Sequence, residues 1–177
     1  MIGFLRFVGI LNAAIWFGGA VFFTFGIGRA SFSPEMKFLL GANNYPYFSG
    51  AIAQLLISRY FDLQAICSVI ACLHLLGESI YMGKLPGKFR AGLVIGLCAA
   101  ALLGGFWLQP KMNALHAVKY STSAKPDARE AAGRSFKIWH GFSMAINLVV
   151  VCSIGVYFWR TANPSASGRF VGPLKFH

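Results

Sequence analysis

Residues 91–108 read AGLVIGLCAAALLGGFWL. No side chain in this run is charged. At about 1.5 Å of rise per residue it makes a helix of roughly 27 Å, close to the thickness of a bilayer's hydrocarbon core. Arg90 stands before it, and Pro110 and Lys111 follow. Because proline breaks the helical hydrogen-bond ladder, the span is expected to end at Pro110. Gly92, Gly96, Ala100 and Gly104 recur at every fourth position within the run. That register predicts a ridge of small residues against which another helix packs closely.

Three further runs of this kind flank it. The first covers residues 4–27, contains Trp16 and the Gly18-Gly19 pair, and is closed by Arg29. The second covers residues 60–82 and the fourth residues 135–157, the latter with Trp139 and Trp159 near its two ends as interfacial anchors. Residues 31–49 hold Pro34, Gly41, Asn43, Asn44 and Pro46 and read as a connection. Within it, residues 34–40 form one or two interfacial turns behind a Ser33 cap. From Gly50 the pattern is helical but interrupted by Gln54, Arg59, Asp62 and Gln64, so this part is amphipathic and lies near the interface. Residues 83–90 make a tight basic connection through Pro86-Gly87. Residues 111–134 read as the longest water-exposed piece, with a short surface helix near residues 127–133. The expected architecture is therefore all-α: an integral membrane bundle of four transmembrane helices with a short interfacial helix before the second span. Residues 1–162 form the one domain, and residues 163–177, rich in Gly, Pro and Ser, form an extended tail.

Composition points the same way. Charged residues make up 12% of the 177-residue chain, against about 25% in a soluble domain. That leaves too few to solvate a surface, so lipid must replace water over much of it. The net charge of +11 would suggest nucleic acid in a soluble protein. Here the basic residues cluster at the ends of apolar runs, where lipid phosphates are the partners, and no nucleic acid is expected. Cys67, Cys72, Cys98 and Cys152 all fall inside apolar runs and read as small hydrophobes without a disulfide framework. The first run is long for a secretory signal, no small-x-small cleavage site follows it, and it is expected to be retained. The short, dense basic connection at residues 83–90 favours cytoplasmic termini by the positive-inside rule. The expected location is the bacterial plasma (inner) membrane.

Ionisable side chains in hydrocarbon cost a few kcal/mol each and so face protein or water. Two stand deep in a span, His74 and Glu78, four residues apart and hence on one helix face. They suit a proton or cation step, a ligand pocket, or a bonded pair that pins two helices; the last is the preferred reading. The fourth span carries His140, Ser143 and Asn147 at helical spacing, and Asn12 of the first span is placed to meet one of them. Bis-histidine haem ligation is disfavoured, because His74 and His140 differ in depth by roughly 13 Å on parallel spans. Soluble-enzyme motifs are absent: no GxGxxG, P-loop, HExxH or zinc-type cysteine spacing occurs in the chain. No cofactor or metal is expected, and no catalytic residue.

Several phrases occur together in order. Residues 11–20 read LNAAIWFGGA, residues 58–61 SRYF, residues 107–115 WLQPKMNAL and residues 136–144 FKIWHGFSM, the last continuing to Asn147. Taken together they resemble the family of small four-helix membrane proteins typified by transmembrane protein 205, over about residues 5–160. The chain departs from that pattern in the connection at residues 41–46 and in the tail after Arg160. The resemblance implies a four-helix fold, a membrane location, and His140, Ser143 and Asn147 at recurring positions. It implies no reaction. The expected role is an accessory or structural subunit, a non-enzyme packing against membrane lipids and a larger membrane complex or a second copy. The alternative is proton or metal-ion transport using His74 and Glu78, and a third, less favoured, is a lipid- or quinone-handling membrane enzyme.

Overall fold

Apolar length sets how far each helix runs, and glycine and proline set where the chain turns. The computed structural model describes residues 2–163, which are helical with no strand among them. Helix α1 is Ile2–Val21, prolonged by a π-helical segment Phe22–Ile27 and a last turn Gly28–Ala30. Helix α2 is Pro34–Leu40 and helix α3 is Tyr45–Met82. Helix α4 is Lys88–Leu103, prolonged by a π-helical segment Gly104–Leu108 and then Gln109–Tyr120; helix α5 is Pro126–Ala162. Four helices, α1 and α3 to α5, are long and apolar enough to cross a membrane. The chain is an all-α integral membrane bundle. Residues 164–177, which include most of the expected tail with Arg169 and Lys175, lie outside the described residues.

The interfacial helix forms as read. Ser33, in extended conformation, accepts a hydrogen bond from the Met36 amide at 3.2 Å and caps α2. Helix α3 ends at Gly83, whose φ of 62° is the left-handed conformation that glycine adopts without steric cost.

Other boundaries differ from the sequence reading. Helix α3 begins at Tyr45 rather than Gly50, with Pro46 in its first turn, where a missing amide costs nothing. The amphipathic stretch and the second span are one helix of 38 residues. Helix α4 does not stop at Pro110. The Gln109 amide donates to the Gly104 carbonyl, five residues back. This wider turn sits where Pro110 lacks an N–H and its ring would crowd the carbonyl four residues earlier. A π-turn placed there absorbs both defects and lets the helix run on to Tyr120. The predicted exposed segment 111–134 is therefore almost wholly helical, with only residues 121–125 between α4 and α5. The proposed surface helix near residues 127–133 is the first turns of α5.

These extensions have one meaning. Trp107 and Trp139 meet edge-to-face at 5.3 Å, and the Lys111 ammonium lies 3.7 Å over the Trp139 ring. Tryptophan and lysine together mark a membrane interface. Phe61 packs on Gly104 at nearly the same level, next to the exposed Arg59–Asp62 pair at 3.2 Å. Beyond that level α3, α4 and α5 continue together by roughly 20 Å at the helical rise. His116, Tyr120 and Phe136 pack together inside this stalk with Tyr47 against them at its surface, and the His116 and Tyr120 rings are 4.8 Å apart. His116, within the segment read as water-exposed, is buried within α4.

The core of the bundle is α1 against α3 and α5, with α4 packed on α3 and α5. Trp16, Val94, Ile154 and Tyr157 are fully buried there, and Trp16 meets Tyr157 edge-to-face at 5.9 Å. In lipid such contacts act through packing rather than water release. The expected ridge on α4 is corrected. Gly92 and Gly96 face outward with nothing within 4 Å of a Cβ built on either, and Ala100 is half-buried. Gly104 alone of the four is tightly packed; a Cβ there would strike the Phe61 ring. The buried face is Val94, Leu97, Ala101 and Gly104. A four-residue spacing advances about 40° per step, so such a ridge winds off any one face within three turns. Steps of three and four together stay on it.

Candidate functional site

Near the 83–87 turn, four side chains from three helices gather. His74 and Glu78 lie on α3, one turn apart, with His74 Nε2 3.7 Å from Glu78 Oε1. The sequence reading put the two on one helix face. It missed the third member: Arg90, in the first turn of α4, forms an ion pair with Glu78 through Nη1 and approaches His74 Nδ1 to 3.5 Å through Nη2. The turn at Gly83 folds α4 back along α3, so that a residue read as part of a basic connection returns to the level of Glu78. Tyr157 of α5, wholly buried, stands within the electrostatic reach of both Arg90 and Glu78.

The His74 side chain is almost completely enclosed, its ring lying on the backbone of α1 at Gly9, where a Cβ would collide with it. Glycine is what allows this approach. Glu78 and Arg90 keep about a fifth of their side-chain surface open, 19% and 23%. Among the described residues, three polar atoms of the cluster have no hydrogen-bond partner: His74 Nε2, Arg90 Nε and the Tyr157 hydroxyl. Chemically the cluster is a charge-neutral clamp, one carboxylate against one guanidinium, with an imidazole and a phenol beside it.

The other predicted polar residues serve different contacts. Asn147 joins three helices: its Oδ1 accepts from the Tyr60 hydroxyl of α3 at 2.9 Å, and its Nδ2 donates to Thr24 Oγ1 of α1 at 2.8 Å. Asn12 does not meet the fourth span as expected; its Nδ2 donates to the Cys67 carbonyl of α3 at 2.9 Å. Asn12 therefore lies on the side of α1 turned to α3. The Trp16 indole donates to Gln64 Oε1. Ser143 bonds the His140 carbonyl within its own helix at 3.0 Å. His140 stacks with Phe136, which also neighbours His116. His74 and His140 thus belong to clusters at opposite ends of the span, separated by roughly 20 Å or more at 1.5 Å per residue. That exceeds the depth difference read from the sequence.

The cysteines also depart from the reading. Cys72 on α3 and Cys98 on α4 are not isolated; their sulfurs are 3.4 Å apart. Among the described residues no group of three or more His, Cys, Asp or Glu is placed to hold a metal ion. One shallow apolar groove between α4 and α5, lined by Phe89, Leu93, Val149, Cys152 and Val156, opens towards the lipid side.

The family described as "Domain of unknown function (DUF4149)" matches residues 11–121, which hold His74, Glu78 and Arg90 but not Tyr157. No curated protein and no solved structure matches the chain.

Proposed function

The chain belongs to the DUF4149 family, and from that premise we propose that it is an accessory or structural subunit of a larger membrane complex, acting by binding rather than by catalysis. One observation carries this reading. The polar side chains within the span are engaged mostly with other helices of the same bundle: Glu78 with Arg90, Asn147 with Tyr60 and Thr24, Asn12 with Cys67, Trp16 with Gln64. Groups used in this way fix helix positions. The resemblance to the transmembrane protein 205 family fits such a role without adding a reaction. We place the protein in the bacterial plasma membrane with cytoplasmic termini. Purification from the native membrane in a mild detergent tests the role. A larger membrane protein should co-purify in fixed stoichiometry; a lone monomer or homodimer would overturn the reading.

A second reading is transport of protons or metal ions past His74 and Glu78. It is favoured by His74 Nε2, Arg90 Nε and the Tyr157 hydroxyl, which have no hydrogen-bond partner among the described residues, since a path needs polar groups not already committed. Reconstituted vesicles decide it: flux in the wild type, abolished in Glu78→Gln without loss of folding, would replace the subunit reading.

A further inference from the structure

We propose that Cys72 and Cys98 form a reversible dithiol–disulfide pair inside the membrane, closed by a lipid-dissolved hydroperoxide. The two sulfurs lie 3.4 Å apart on neighbouring spans, one from each helix. A disulfide needs about 2.05 Å, so closure shortens the sulfur separation by about 1.4 Å. The partners are unequal. Cys72 is exposed on the outer surface of α3, while Cys98 is half-buried behind it and also approaches the Ser68 carbonyl at 3.8 Å. Cys72 precedes the end of α3 at Met82 by about 15 Å of helix, which sets it at acyl-chain depth. The reagent that reaches it there is dissolved in lipid rather than in water.

The chemistry balances with that one co-reactant. The Cys72 sulfur attacks the outer oxygen of the hydroperoxide and the O–O bond breaks. The departing alkoxide takes the thiol proton and leaves as an alcohol, and Cys72 becomes a sulfenic acid. The Cys98 sulfur then attacks the Cys72 sulfur. Its thiol proton leaves with the sulfenic hydroxyl as water, and the S–S bond forms. Two thiols lose two electrons in total, and one peroxide gains them. A dithiol reductant reverses the closure. The closed pair bolts α3 to α4 two turns deeper than the Glu78–Arg90 clamp, making two fastenings between the same helices.

The chain supplies its own controls, since Cys67 is buried and Cys152 is exposed without a cysteine neighbour. Full-length protein in nanodiscs of saturated lipid is treated with cumene hydroperoxide, then denatured and alkylated with N-ethylmaleimide, and its intact mass is read. Of the four cysteines, two should escape alkylation after treatment and all should be alkylated after dithiothreitol. Peptide mapping should find Cys72 joined to Cys98. In Cys98→Ser no disulfide should form, and dimedone should trap the Cys72 sulfenic acid. Four adducts surviving treatment of the wild type would overturn the proposal. So would a reversible two-thiol loss that persists in Cys98→Ser.

Discussion

Glu78 and Arg90 illustrate how a membrane tolerates charge only in pairs. Removing one partner leaves the other desolvated, which in a buried pair costs about 3–5 kcal/mol, and here less because both keep some exposure. Glu78→Leu and Arg90→Leu should each destabilise the detergent-solubilised bundle, and the double variant should recover most of the loss. Thermal unfolding of the four proteins in a double-mutant cycle measures it; additive losses would show that the pair does not act as one. The His74–Glu78 half of this cluster was legible because two residues four apart on a helix share a face whatever surrounds them. Arg90 and Tyr157 were not. Their nearness to Glu78 exists only once the 83–87 turn and the packing of α5 are known, and charge next to a proline-glycine turn reads as loop. The same limit hid the cysteine pair: Cys72 and Cys98 are far apart in sequence and each looks solitary in its own span.

Helices α2 and α4 carry two tests at the level of elements. Gly104→Leu should clash with Phe61 and cost about 1–3 kcal/mol by overpacking, whereas Gly96→Leu should leave the isolated bundle unchanged. Thermal unfolding of the two variants side by side distinguishes them, and equal losses would contradict the assigned faces. In α2, the Glu35 carboxyl is held below the usual carboxylate range, first by a backbone amide and second by the Ser33 hydroxyl. A carboxyl lowered on folding stabilises above its unfolded value of about 4.3 and loses that contribution as pH falls through its lowered value. Hydrogen exchange at the Met36 amide should therefore accelerate, beyond the intrinsic pH dependence, as pH drops below about 4.3. Constant protection across that range would refute the link. The existence of the four spans and of α2 was readable from apolar length and from one capping serine. Helix ends were less so, because Pro110 and the charges of residues 111–134 signal where lipid stops, and a helix need not stop with it.

At the scale of the whole molecule, exposed side chains such as Phe4, Phe106, Ile95 and Val149 cover the spans, as lipid contact requires. The orientation assigned above is open to direct labelling. In a cysteine-free background, Leu85→Cys in the 83–87 turn should react with a membrane-impermeant maleimide from the cytoplasmic face, and Ser123→Cys between α4 and α5 from the opposite face. The reverse pattern would invert the assignment and place the stalk in the cytoplasm. Sequence alone described the bilayer part of this molecule well and its outer part poorly. Hydropathy reports which residues meet lipid, whereas the stalk is held by a small aromatic core around His116 that only the assembled helices bring together.

The π-turn at Gly104–Leu108 sits at the level of the Trp107–Trp139 pair, at the foot of the stalk. Because α4 remains one continuous rod through that turn, rotation of its lower half is transmitted to its upper half. The stalk is then a moment arm: a tilt of about 10° within the lipid swings a tip roughly 20 Å away through about 3.5 Å. A change in tilt within the lipid thereby becomes a displacement at the tip of the stalk.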